Sequence, residues 1–406
     1  MIIAGGTYRE SCHFPPDSDF FGPGLRAAAA TAELTPTQNH LYTPISESDQ
    51  STLETFADTF DLSIHPSHIP ETVSFDYLHN HSNPKMEPPH ASEFDCRITA
   101  KEGTAVLRFG LVAGTAVVSG DRVVYDPQSP NPDPFNQNGS SAEELAVVLN
   151  HNEAESLAGE ENIDAIISTL TTGESSADVV VIKRGAKGAI VKTPSTRTKV
   201  PVVRTESVWG IGSGDVFSGV FAAEWAARQN SASEAAEKAS RATAIYCQHR
   251  QLPLTQDGIA TIDDDSESVF IPPEADQPTI YLAGPFFSIG ERYLVEEVKH
   301  ILEETGTEVI SPIHDIGRAA DYDRPEDVAQ QDLDAIERSD LVFALLDHVD
   351  SGTHFELGYA RKADIPVIGY AHNFSETDDI MTAGSGCDIY QDLASAVYNA
   401  IWEGYD

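Results

Sequence analysis

Short apolar runs alternate with longer stretches of helical spacing along most of the chain, and this alternation predicts parallel sheets joined by right-handed crossovers. In the first half, strand-like runs fall at residues 2–4, 105–109, 123–125, 179–183 and 189–192, with helical patterns at 24–33, 142–149, 164–169 and 216–228. The second half repeats the pattern more regularly. Strands are expected at 279–283, 308–311, 341–346 and 366–370, and helices at 289–304, 326–338, 353–363 and 393–401.

The alternation breaks at residues 256–277. Asp263-Asp264-Asp265 and Pro272-Pro273 mark this stretch as an acidic, proline-containing linker between a domain at 1–255 and a second at 278–406. A length of 406 residues accommodates two cores of this kind. A polar, proline-rich segment at 126–140 reads as a surface loop ahead of the helical pattern at 142–149.

Charge narrows the partners. Asp and Glu total 65 against 25 Lys and Arg, a formal charge of −40. Such a field repels nucleic acid and anionic membranes, so neither is an expected partner. The acid is spread along the chain and arginine outnumbers lysine, which suits a high-salt cytosol where ions screen the repulsion. No apolar run is long enough to span a bilayer, and the opening Met1-Ile2-Ile3-Ala4-Gly5-Gly6 is too short for a signal peptide, so a cytoplasmic location is expected. Cys12, Cys96, Cys247 and Cys387 form no paired spacing, and His79-Asn80-His81 reads as a solvated loop, so no metal site is expected from either.

Candidate chemistry in the first half centres on Gly210-Ile211-Gly212-Ser213-Gly214-Asp215. Small residues let the backbone approach a phosphate, and the following helix aims its N–H groups and positive dipole end at the same point. Asp215, at that tip, is placed to take a proton from a substrate hydroxyl. With Asn150-His151-Asn152-Glu153 and Lys183-Arg184-Gly185-Ala186-Lys187-Gly188, the stretch resembles the PfkB/ribokinase family of sugar and nucleoside kinases over residues 1–250. The resemblance implies a ribokinase-like parallel-sheet sandwich that uses ATP and Mg2+. Asp215 would be the base, Gly212, Ser213 and Gly214 the anion hole, and Asn150 and Glu153 the metal–phosphate element. Lys187 and Gly188 would lie near ATP, and Gly22–Ala27 resembles the family's early glycine-plus-helix segment. The Asp-Thr pair usual before the family's glycine turn is replaced here by Val208-Trp209.

The second half gathers carboxylates. Cleaving an N-glycosidic bond requires a carboxylate beside the anomeric carbon and another acid to manage the proton of the departing base. Glu356 is expected near a helix start after Gly352-Thr353, where the dipole would keep it ionised. Tyr281 is positioned to hold it, Asp332 and Asp350 lie on adjacent elements, and Phe286 and Phe287 offer faces for a flat base, although core packing is the favoured reading of such a pair taken alone.

Together with Tyr281-Leu282-Ala283-Gly284-Pro285-Phe286-Phe287, these residues resemble the nucleoside 2-deoxyribosyltransferase family over residues 278–402. The implied fold is a flavodoxin- or Rossmann-like doubly wound sheet. The implied chemistry is a covalent deoxyribosyl–Glu356 intermediate, attacked by a second base with overall retention. By the same resemblance Tyr281 positions Glu356, Asp332 and Asp350 bind sugar and base, and Met381 lies at the site edge. Many members place an Asn before that Met and donate it from a neighbouring subunit, which implies a homo-oligomer; here the position is Asp379. The C-terminal chemistry needs no cofactor. The expected activity is nucleoside or deoxyribose salvage on a small-molecule nucleoside or sugar. The open alternatives are an N-glycoside hydrolase and a degenerate, ligand-sensing kinase half.

Overall fold

The computed structural model describes residues 1–173, 176–262, 267–317, 324–347, 350–373 and 380–406. The acidic run at 263–266 and Asp379 lie outside the described residues. The chain divides into two compact units, one of residues 1–78 and 82–273, the other of residues 79–81 and 274–406.

The first unit is built on a nine-stranded sheet. From one edge to the other its strands are Arg197–Val200, Ala189–Lys192, Val179–Lys183, Ser141–Asn150, Gly114–Asp126, Cys96–Phe109, Ile2–Ala4, His40–Ile45 and Ser63–His68. Pairing is parallel except at the first two junctions of that order. Successive residues face opposite ways: Ala105, Leu107 and Phe109 enter one core with Leu25, Val216, Val220 and Phe221. Val106 enters the other, with Ala154, Ile163, Ile166 and Leu170. Helices thus cover both faces, as a parallel sheet requires. A separate four-stranded sheet, ordered Asp17–Phe20, Arg9–Phe14, Ser74–His79 and Lys85–Glu87, belongs to the same region of the sequence.

The helix expected at 142–149 is instead the strand Ser141–Asn150, paired in parallel with Gly114–Asp126 and Val179–Lys183. Leu145–Leu149 is buried throughout because both faces of a central strand are covered, which erases the alternation that would have marked it. Helix Ala232–His249, opened by a Ser231–Glu234 capping box, was absent from the expected elements. His79 and Asn80, expected to be solvated, are buried.

The second unit is a five-stranded, wholly parallel sheet ordered Glu308–Ile310, Thr279–Ala283, Leu341–Leu345, Val367–Tyr370, Asp388–Tyr390. Numbered along the chain this is 2-1-3-4-5, the flavodoxin-like order. The direction of winding reverses between Thr279–Ala283 and Leu341–Leu345, and ligands in such sheets bind beyond the carboxyl ends of the strands at this reversal.

Candidate functional site

In the C-terminal unit, a cavity of about 440 Å³ opens at that reversal, lined among others by Gly284, Phe286, Phe287, Asp332, Asp350, Thr353 and Glu356. Tyr281 is sealed in the first strand, and its hydroxyl donates to Glu356 Oε1 at 3.0 Å. Phe286 and Phe287 sit at the wall with ring centroids 5.0 Å apart; Phe287 is exposed. Asp350 caps helix Ser351–Lys362 by accepting the Thr353 N–H at 2.8 Å, so one of its oxygens is already committed to the fold. Met381 lies on the exposed helix Ile380–Gly384 and is not among the cavity's lining residues. Val328, Pro312 and Gly317 also line it; nothing in their local sequence distinguishes them from ordinary core and turn positions.

The ionisation of Glu356 differs from expectation. The helix begins at Ser351, which leaves Glu356 more than one turn inside, where the dipole's influence has faded. Burial therefore dominates. It pushes Glu356 up to about 7, opposed by the Tyr281 hydrogen bond and reinforced by Asp332 and Asp350. Burial also lifts Asp332 to about 6, and its Oδ1 is buried with no hydrogen-bond partner. Two carboxylic groups titrating near neutrality in one cavity form a coupled pair that holds a single proton over a narrow pH range. Because Glu356 has the higher value, the shared proton rests mainly on Glu356, and the form with Glu356 as the attacking anion and Asp332 as the donating acid is the minor singly protonated species.

Tyr281→Phe should remove the bond that favours ionised Glu356 and so raise that pKa further. Because Glu356 is the weaker acid of the pair, the plateau of the rate profile is expected to fall and its alkaline limb to move to higher pH. The loss at pH 6 should be roughly ten- to hundredfold, larger than at pH 8. An unshifted limb would show that Tyr281 acts on packing alone.

In the N-terminal unit, Gly212 has φ +78° and starts helix Ser213–Ala222. The Ser213 and Asp215 N–H groups turn back to Gly210 O at 3.2 Å and Gly212 O at 3.1 Å. Asp215 is buried, and both its oxygens are engaged: Oδ2 accepts from Arg26 Nη1 at 2.6 Å, and Oδ1 from Gln128 Nε2 at 2.6 Å. Arg26 also binds Glu10.

Across the helix tip, Lys183 Nζ donates to Asp126 Oδ2 at 2.7 Å and lies 3.3 Å from Ser218 Oγ. A methyl group on Gly214 would come within 3.5 Å of this ammonium. Burial alone would lower the Lys183 pKa, but Asp126 and Glu153 outweigh it and raise it. Asp126 Oδ1 is buried without a partner.

Asn150 and Glu153 form a capping box, with Asn150 N to Glu153 Oε2 at 2.8 Å and Glu153 N to Asn150 Oδ1 at 2.8 Å. Burial, then Asp126, push Glu153 up to about 7 against the pull of Lys183. Lys187 and Gly188 sit in the hairpin turn that follows, with Gly188 at φ +81°. Burial and Arg184 push Lys187 down to about 8. The lysine tied into the helix-tip network is therefore Lys183.

Glu10, Arg26, Asp126, Gln128 and Lys183 were not singled out from the sequence. Lys183 carries the clearest missed signal, a charged residue closing an otherwise apolar strand.

Residues 112–255 match the family model for pfkB family carbohydrate kinases, and residues 280–394 match that for nucleoside 2-deoxyribosyltransferase. The chain carries one domain of each kind. Among solved structures, ribokinase from Giardia lamblia is 12% identical, with 64% of this chain and 98% of that one covered and a TM-score of 0.48. Fructokinase from Vibrio cholerae, in its fructose-, ADP- and calcium-bound form, is 13% identical over 64% and 98%, with a TM-score of 0.47. Ribokinase from Thermotoga maritima is 16% identical over 64% and 97%, with a TM-score of 0.44. No curated protein matches the chain. No helix among the described residues is long and apolar enough to cross a membrane. Cys12, Cys96, Cys247 and Cys387 are buried and outside any disulfide.

Proposed function

We propose that the deoxyribosyltransferase domain moves a deoxyribosyl group between bases through Glu356. The observation that carries this reading is the Tyr281–Glu356 hydrogen bond at the wall of a cavity that also holds Asp332. Ionised Glu356 attacks the anomeric carbon, and the bond to the base breaks. Asp332, in its protonated form, gives its proton to the departing base. The resulting ester is opened by a second base, with the same two carboxyl groups acting in reverse. Phe286 and Phe287 supply the apolar faces for the base. The reaction needs Glu356 ionised and Asp332 protonated together, the minor singly protonated form, and its population, with the rate, should peak between the two macroscopic pKa values, near pH 6–7.

Incubation of the full chain in high salt with a deoxynucleoside and a second, labelled free base tests the reading. The expected product is the labelled nucleoside. Free deoxyribose alone, with no label incorporated, would instead identify a hydrolase with water as acceptor.

We read the pfkB domain as an ATP-dependent kinase for a sugar or nucleoside. The helix tip at Gly212–Gly214, Lys183 and the Asn150–Glu153 pair are the residues that would hold ATP and Mg2+. The buried, unpartnered Asp126 Oδ1 and the open face of Gly214 fit that use. Bound ATP would supply the phosphoryl group, while Asp215 would accept the proton of the receiving hydroxyl. A kinase-type domain and a deoxyribosyltransferase-type domain on one chain support a role in nucleoside or deoxyribose salvage. The exposed Ile380, Met381, Phe287 and Tyr293 support assembly with further copies of the chain. The charge of −40 supports a high-salt cytoplasm as the working environment.

A further inference from the structure

Arg26 is among the largest side chains fully sealed in this protein, with 1% exposure. It reaches from helix Gly22–Ala30 to the turn that starts helix Ser213–Ala222, where a methyl group on Gly212 would meet its guanidinium carbon at 2.3 Å. Glycine at 212 thus makes room for the guanidinium as well as supplying the positive φ. One edge of Arg26 binds Asp215 at 2.6 Å. The other holds Glu10, from strand Arg9–Phe14 of the small sheet, through Nη2 and, at 3.3 Å, Nη1. Two buried carboxylates therefore share one guanidinium.

Neither carboxylate could remain charged at this depth without that cation, because removal from water favours the neutral acid. A general base must be charged and must point at the hydroxyl it serves. Arginine's planar fork can bind both carboxylates at once, which a lysine ammonium does less rigidly. Gln128 fixes the remaining oxygen of Asp215.

We propose that Arg26 is a positioning residue of the N-terminal site: anchored by Glu10, it orients Asp215 and holds it as a carboxylate ready to accept a proton. The inference rests on the reading of Asp215 as the kinase base. Burial raises the Asp215 pKa against the opposing pull of Arg26, and Asp126 adds to the rise. Glu153, which faces Lys183 and Asp126, is pushed up to about 7 and is common to wild type and variants, so its effect cancels in the comparison. Burial raises Tyr8, Tyr77 and Tyr246, so their phenols stay neutral. Asp126 is paired with Lys183, and Asp19, which faces Glu10, is bound by Arg250.

The test compares wild type, Arg26→Met and Arg26→Lys as full chains in high salt. The first readout is the pH profile of ATP-dependent turnover. Arg26→Met should lower kcat at pH 7 by roughly tenfold or more and move the acidic limb to higher pH, with KM for ATP within about twofold. Arg26→Lys should recover part of both effects. The second readout, urea unfolding, needs no activity. The stability gap between wild type and Arg26→Met should widen from pH 5 to pH 8, because Glu10 and Asp215, protonated in the variant at low pH, must ionise while buried as pH rises.

A parallel pH profile, or a gap equal at both pH values, overturns the proposal; a purely packing role predicts both. If Arg26→Met does not fold at pH 7, Arg26→Lys decides by its own limb and gap: wild-type-like values support retention of charge, and a large gap independent of pH overturns it. If wild type turns over no ATP with any acceptor, the kinase reading fails, while the unfolding gap still decides whether Arg26 holds the carboxylate.

Discussion

Glu356→Gln is expected to abolish deoxyribosyl exchange, by on the order of 10³-fold or more, because an amide cannot form the glycosyl ester. The Tyr281 hydroxyl, which donates to Oε1 at 3.0 Å, can donate equally to the amide oxygen, so the cavity should persist and the loss should lie in kcat. The same variant should be more stable than wild type at alkaline pH. Glu356 in the folded chain titrates at about 7, above its ordinary value of 4.5. The stability this raised group contributes is fully present below the unfolded value and is lost as pH rises through 7. Glutamine never ionises and escapes that loss. At pH 8 the variant should gain on the order of 2 kcal/mol relative to wild type, with the gain disappearing near pH 4. Urea unfolding at the two pH values measures it. A gain of equal size at both would assign the effect to packing, and retained exchange would remove Glu356 from the mechanism.

Much of the C-terminal site was legible before any coordinates because its partners are fixed by topology. Tyr281 lies on one central strand and Glu356 on the helix after the neighbouring strand, so a parallel sheet wound in this order brings them together across 75 positions. The charge state of Glu356 was not legible. It depends mainly on how deep the side chain lies, and burial outweighs the roughly 0.3–1 kcal/mol that a helix N-terminus offers a carboxylate.

The N-terminal half divides in the same way. The glycine turn and Asp215 are local and could be read directly. Arg26 is 189 positions from Asp215, and its second partner stands on a strand that the apolar pattern did not reveal. Strands Arg9–Phe14 and Asp17–Phe20 are largely polar and half exposed, and lie outside the large sandwich. The strand Ser141–Asn150 gave two readings, a helix over 142–149 and a buried strand-like run at 145–149, because its second half is covered on both faces and keeps no alternation.

Asp215→Asn should reduce ATP-dependent phosphoryl transfer to sugars or nucleosides by about 10²- to 10⁴-fold, the range expected for loss of a general base. The substitution is nearly isosteric, but its hydrogen bonding is not equivalent. Asp215 accepts from Arg26 on one oxygen and from Gln128 on the other. An amide offers a single acceptor oxygen, which can stay on Arg26 only if its NH2 meets Gln128, whose own amide must then flip to present Oε1. Arg26 keeps Glu10 as its counter-charge, and Lys183 keeps Asp126, so the second ion pair at the helix tip is undisturbed. ATP affinity should therefore change little while kcat falls. Deoxyribosyl exchange in the same preparation, which depends on Glu356, serves as the internal control for folding. If exchange is intact and ATP consumption with pentoses or nucleosides is also intact, Asp215 is not the base. If exchange is intact and ATP consumption is lost with ATP binding preserved, the carboxylate is required for the chemical step itself, because the variant retains the helix tip, its glycines and both neighbouring cations.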